Sequence, residues 1–203
     1  MRDRIDATIL KSSASVQEVI DFALKVDAGG FRALVTHPFF YLYMQGLNLR
    51  MKKVGVVDFP YGVSLINIKV KQALLCKEIG LDEIDYVVNI AAFRSFPGYA
   101  RQEALSITSA FPGTVKAIVE VPLLTEDELS RLVEELRGSG VKFLKTSTGL
   151  YRPVTPEDVK KLRKISKGDF LIKASGGIRD LETAKKLIEA GADVLGTSTP
   201  FNF

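Results

Sequence analysis

Eight short runs of β-branched and apolar residues recur along the chain at intervals of roughly 20 to 30 residues, and helical patterns fill most of the gaps between them. They are Ile5–Leu10, Arg32–Thr36, Lys53–Phe59, Glu83–Ile90, Val115–Val121, Val141–Thr146, Phe170–Ala174 and Val194–Thr197. Strands that alternate with helices form a parallel sheet, because each crossover returns the chain to the same end. Eight such units suggest that the sheet closes on itself, and the 203 residues suffice for one compact (β/α)8 barrel. The expectation is therefore a single domain over residues 1–203, with no linker or low-complexity tract.

Local signals place the helices. Ser15 caps a segment whose apolar positions Val16, Val19, Ile20, Ala23 and Leu24 share one face, and Thr125-Glu126-Asp127-Glu128 is a capping box. Thr155-Pro156 and Asp180 open two more helices, while Ser64–Ile79 runs to Gly80. Phe39–Leu47 reads as a shorter aromatic helix after Pro38, and Arg101–Ala110 as a further helix. After the eighth run only Ser198–Phe203 remains, so the final barrel helix is expected to be missing. Phe201, Phe203 and the Phe39–Met44 cluster are the candidates to cover the wall between strands eight and one, and a thin wall predicts a homo-oligomer.

Composition excludes several functions. The 28 Lys and Arg are interleaved with 24 Asp and Glu, giving a net charge of +4; without a basic stripe carrying aromatics, nucleic-acid binding is not expected. One cysteine excludes an intrachain disulfide, and one histidine leaves too few ligands for an ordinary zinc site. No apolar run is long enough for a membrane helix, and the start, Met1–Asp6, has no signal core. A cytoplasmic protein without membrane association is the expectation.

The chemistry concentrates in Val141–Leu150. Val141, Phe143 and Lys145 share one face of a strand that ends in Thr146-Ser147-Thr148-Gly149, so a lysine ammonium enters the barrel beside a polar turn. Phe170–Gly177 repeats this arrangement: Leu171 and Lys173 share a face, and Gly176-Gly177 follows. Neighbouring staves bring Lys145 and Lys173 to the same mouth, where mutual repulsion and desolvation favour a neutral, nucleophilic amine. On the fourth strand Asp85 shares a face with Val87 and Asn89 and is placed to meet a lysine. Asp6 can do so from the first strand, and Glu120 with Lys116 suggests another inward pair.

These residues stand in motifs that resemble the deoxyribose-phosphate aldolase family along nearly the whole chain. The motifs are I-D-A-T-I-L at Ile5–Leu10, D-F-P-Y-G at Asp58–Gly62, D-E-I-D-Y-V-V-N-I at Asp82–Ile90 and V-K-A-I-V-E at Val115–Glu120. They continue with F-L-K-T-S-T-G at Phe143–Gly149, I-K-A-S-G-G-I-R at Ile172–Arg179 and G-A-D-V-L-G-T-S at Gly191–Ser198. The resemblance implies a metal-free class I aldolase, with no cofactor, that joins acetaldehyde to glyceraldehyde 3-phosphate. It implies Lys145 as the Schiff-base lysine, Lys173 as the lysine that perturbs it, and Asp85 with Asp6 as proton-handling acids. It also implies that Gly176, Gly177, Gly196 and Ser198 hold the substrate phosphate, with Thr148 beside them.

Departures from the family pattern cluster at the phosphate end: Leu150-Tyr151-Arg152-Pro153 is short and bulky, and the last motif reads G-T-S-T-P. Ala7 and the segment Ala91–Ala100 also depart. They motivate two rival readings, a Schiff-base aldolase for another, unphosphorylated aldehyde or ketose, and a catalytically reduced barrel used for binding or assembly. Arg152 and Arg179 are candidate compensating cations, and His37 a candidate substrate contact. Cys76 reads as a small core residue, and Gly176-Gly177 without G-x-G-x-x-G is no nucleotide loop.

Overall fold

The computed structural model describes residues 1–203. Its eight strands are β1 (Ile5–Thr8), β2 (Ala33–Thr36), β3 (Lys52–Val57), β4 (Glu83–Val87), β5 (Thr114–Ile118), β6 (Phe143–Lys145), β7 (Leu171–Ser175) and β8 (Val194–Thr197). All pair in parallel, each with its sequence neighbour, and β8 returns to β1 to close the barrel. The helices are α1 (Val16–Ala28), α2 (Pro38–Tyr41), α3 (Ile66–Ile79), α4 (Ile90–Ser95), α5 (Tyr99–Ala110), α6 (Glu126–Leu136), α7 (Pro156–Ser166) and α8 (Leu181–Glu189). None is long and apolar enough to cross a membrane.

Capping explains where the helices begin. Ser15, Thr125 and Thr155 each accept the N–H three residues on, and the residue there, Glu18, Glu128 or Asp158, reaches back to the cap's own N–H. Strand β4 stops earlier than the apolar run because Asn89 turns the chain and accepts the Ala92 N–H, opening α4 inside the segment Ala91–Ala100.

Alternation sorts each strand into two faces. Leu34, Ile84, Ala117, Leu144, Ile172 and Leu195 point out to the helices and belong to the main core. The inward residues divide unequally. Ala33, Val35, Val54 and Val56, from β2 and β3, form a separate apolar arc under Leu10 and Phe59, whereas β1 and β4–β7 send Asp6, Glu83, Asp85, Lys116, Lys145 and Lys173 into the interior, all buried.

Two expectations about aromatic segments need correction. The helix expected over Phe39–Leu47 ends at Tyr41, because the Tyr41 hydroxyl lies among the strands, bonded to Leu34 O at 2.8 Å and accepting the Val54 N–H at 3.0 Å. That anchor holds the segment against β2 and β3, so Phe39–Met44 does not cover the wall between β8 and β1. Phe201 does, from a 3-10 turn over Pro200–Asn202 that follows β8 where no helix stands. Its ring meets Phe22 and Phe31 edge-on at 5.6 and 5.7 Å, and Phe203 packs at the margin of the core.

Candidate active site

The nucleophile candidate is fixed by the ladder itself. Strand β6 ends on Lys145, whose Cα partner across the parallel pair is Lys173. Both side chains point inward at one level, because paired residues of adjacent strands share a face. They converge on one carboxylate oxygen: Asp85 Oδ2 lies 2.9 Å from Lys145 Nζ and 2.7 Å from Lys173 Nζ. Lys116, the ladder partner of Asp85, donates to Oδ1 at 3.0 Å. Lys173 also reaches Asp6 at 2.6 Å. Below them Glu83 binds Lys116 and Arg32, and Arg32 spans to Asp6, both Arg32 contacts at 2.6 Å.

This arrangement corrects one expectation. Lys116 pairs with Glu83 and Asp85 and not with Glu120, since Glu120 follows the end of β5 in a left-handed backbone conformation, φ 50°, that turns its side chain out of the strand's alternation. Its carboxylate instead accepts the Thr148 N–H at 3.0 Å and the Thr148 hydroxyl at 2.7 Å.

Counting charges identifies which group gives up a proton. The interior holds Arg32, Lys116, Lys145 and Lys173 against Asp6, Glu83 and Asp85, four cations to three carboxylates. Burial alone would raise Asp85, but Lys116, Lys145 and Lys173 carry it well below the ordinary carboxylate range. Burial of Glu83 is likewise outweighed by Lys116 and Arg32, which bring it down to about 2. For Lys173 the pull of Asp6 and Asp85 exceeds desolvation and raises it. Lys145 has only a share of Asp85. Desolvation lowers it first, Asp85 pushes back, and the fields of Lys173 and Lys116 lower it again, leaving it at about 8.

Above Lys145 opens a cavity of about 230 Å³. Its wall includes Lys145, Thr148, Gly176, Gly177, Gly196 and Ser198, so the residues singled out as phosphate contacts lie together around one space. Arg179 lines it too, and the other arginine candidate does not: Arg152 is held by Asp158 through bonds of 2.6 and 2.8 Å. Asp85, Asp6 and Lys173 lie beneath the floor, fully buried. Gly196 has a role in seating them, since a Cβ there would stand 3.2 Å from Lys173 Cε. Gly176, at φ 108°, turns the chain where few other residues would. His37 stands apart from this cavity, edge-on to Phe59 with ring centres 6.4 Å apart, and Cys76 is buried on α3.

Sequence reasoning missed three parts of this site. Phe59 lines the cavity, its ring centre 5.9 Å from Lys145 Nζ; D-F-P-Y-G marked it without indicating a contact. Glu83 enters the interior two residues before Asp85, a spacing that gives them one face. Arg32 precedes β2, and nothing local marks it as interior.

No family model matches the chain. A protein of Aquifex aeolicus named deoxyribose-phosphate aldolase is 39% identical over 202 residues, which cover 98% of this chain and 92% of that one. The chain belongs to the deoxyribose-phosphate aldolase family. A solved structure described as QR15, an aldolase, superposes with a TM-score of 0.95 at 38% identity, covering 100% of this chain and 93% of the other. The deoxyribose phosphate aldolase of Aeropyrum pernix, described as a tetramer, does so at 0.93 and 32% identity, covering 99% and 88%. These likenesses make the chain an aldolase, a lyase, built on the family's closed barrel.

With Lys145 as the expected Schiff-base lysine, its state would set the pH dependence. Only the neutral amine attacks a carbonyl, so the rate of Schiff-base formation with acetaldehyde is expected to rise through an inflection near the Lys145 value of about 8. Lys173→Met removes a field that lowers Lys145 and moves the inflection upward. A stopped-flow pH profile of both proteins measures it, and an unmoved inflection excludes Lys173 as the perturbing charge.

Proposed function

We propose that this chain reversibly cleaves 2-deoxy-D-ribose 5-phosphate to acetaldehyde and D-glyceraldehyde 3-phosphate through a Schiff base on Lys145. The observation that carries the reading is the shared Asp85 oxygen, which leaves Lys145 the least compensated of the interior cations, at the floor of an open cavity.

Each step has a group present to perform it. Neutral Lys145 Nζ adds to C1 of the open-chain sugar, and the carbinolamine loses water to an iminium. Electrons of the C2–C3 bond flow into that iminium as the proton of the C3 hydroxyl departs, which releases glyceraldehyde 3-phosphate and leaves an enamine. Asp85, kept ionised by its lysines, receives protons through water, and Lys173 with Asp6 returns them. Protonation of the enamine at C2 and hydrolysis of the second iminium free acetaldehyde and the amine.

The phosphate belongs at the opposite end of the cavity, where Gly176, Gly177, Gly196 and Ser198 offer N–H and hydroxyl donors and Arg179 a charge. The namesake activity of the relatives favours this substrate over an unphosphorylated one, and the intact lysine pair favours catalysis over a binding role. Exposed Phe39, Leu42 and Tyr43 support a homo-oligomer, and a lone buried cysteine fits a cytoplasmic location.

Borohydride trapping tests the proposal. Incubation with acetaldehyde, reduction and peptide mass spectrometry are expected to find one adduct, on Lys145. Labelling scattered over surface lysines, or none, would overturn it.

A further inference from the structure

Glu120 carries two unfavourable features at one position. Its backbone is left-handed, φ 50° and ψ 57°, a region L side chains avoid. Its carboxylate is 2% exposed, yet it pairs with no lysine or arginine, unlike every interior acid of the barrel. Burial accordingly pushes its carboxyl up, against the opposing effects of its bonds to Thr148 and, after them, of the Lys145 charge.

Both features serve one set of bonds. The carboxylate takes the Thr148 N–H at 3.0 Å and the Thr148 hydroxyl at 2.7 Å, and that hydroxyl oxygen accepts the Leu150 N–H at 3.2 Å. The neighbour of Glu120 ties the same two segments together, Val121 N–H donating to Thr146 O at 2.9 Å. Thr148 therefore lines the cavity with its own donors already engaged behind the wall. Its successor, Gly149, is critical in position, for it meets Gly176 so closely that a Cβ on Gly149 would stand 3.1 Å from Gly176 Cα. The two glycine turns form one edge of the cavity, and Glu120 is the side chain that anchors the first.

We propose that Glu120 is a positioning residue for phosphate recognition: by holding Thr148 from behind, it fixes Gly149 against Gly176 and so sets the spacing of the phosphate-binding edge. Thr148 then acts through loop shape and not as a donor to the phosphate. The inference rests on the aldolase reading.

Two variants separate the bonds from the backbone. Asn tolerates the left-handed conformation but falls one methylene short of Thr148, whereas Gln keeps the reach, accepting the N–H through Oε1 and donating to the hydroxyl through Nε2. For Glu120→Asn the KM for 2-deoxyribose 5-phosphate is expected to rise about tenfold, the equivalent of one lost charge-assisted bond. Its kcat stays within roughly threefold, and cleavage of unphosphorylated 2-deoxyribose is unchanged. Glu120→Gln returns KM close to wild type. A fall in kcat shared by both substrates would place Glu120 with Lys145 and overturn the proposal, as would an unchanged KM. Thr148→Val, which deletes the hydroxyl's bonds to Glu120 and to the Leu150 N–H but keeps the Thr148 N–H bond, is expected to raise the same KM less; no rise overturns the proposal even if Glu120→Asn fails to fold. Acetaldehyde trapping on Lys145 of the wild type distinguishes the two levels: its absence sinks the aldolase reading, while its presence with an unmoved KM sinks only this one.

Discussion

Lys145→Ala is expected to abolish aldol cleavage, by roughly 10⁴-fold or more on the scale of deleting a covalent nucleophile, while leaving the barrel as stable as before. The two halves of that expectation have different origins. Activity goes because no second amine reaches the cavity: Lys173 is fully buried beneath the floor, and its bonds to Asp6 and Asp85 keep it protonated. Stability stays because the interior starts with one cation in excess. Without Lys145, three cations face three carboxylates, and Asp85 retains Lys116 and Lys173. The truncated side chain already borders open space, so beyond the bond to Asp85 only its contact with Phe59 is lost, and the unfolding free energy from urea titration should move by less than about 1 kcal/mol. Retained turnover by the purified variant would remove Lys145 from the mechanism.

The opposite balance holds for Asp85. Replacing it with Ala leaves Arg32, Lys116, Lys145 and Lys173 facing only Asp6 and Glu83. Lys145 then loses its sole ion-pair partner. Stripping one side from a buried ionic cluster costs about 3 to 5 kcal/mol, a large share of a small domain's stability. Asp85→Ala is therefore expected to be expressed poorly or to unfold at much lower urea than wild type. Asp85→Asn keeps the shape and one acceptor oxygen, so it should fold well enough to assay, with kcat down by about 10² to 10⁴ through loss of proton transfer. Full stability of the Ala variant would mean that the lysines shed their protons at little cost, and full activity of the Asn variant would assign proton transfer elsewhere.

Much of this was legible in the sequence, for a definable reason. Period-two alternation is local, so Val141-x-Phe143-x-Lys145 and Leu171-x-Lys173 announced inward lysines without knowledge of any other strand. Capping is local as well, and Ser15, Thr125 and Thr155 marked their helices through residues three positions away. Partner choice is not local. Whether Lys116 meets Glu120 or Asp85 depends on the register of β4 against β5 and on a backbone reversal at Glu120. The same limit hid Lys69: it stands within an apolar-looking helix, yet is fully buried and bonded to Glu103 at 2.6 Å and to Gly62 O and Val87 O. Those partners come from three separate segments, and no spacing along one of them reveals the other two.

The apolar arc of β2 and β3 has a consequence for how such a barrel can be repacked. Ala33, Val35, Val54 and Val56 carry no charge, while the buried acids and lysines beneath the cavity all stand on the other staves. Volume can be added or removed on the uncharged side, a matter of methyl groups and their fit, without disturbing the electrostatic balance around Lys145. Packing and charge are thus written on different strands, so that selection, or a designer, can revise one and leave the other intact.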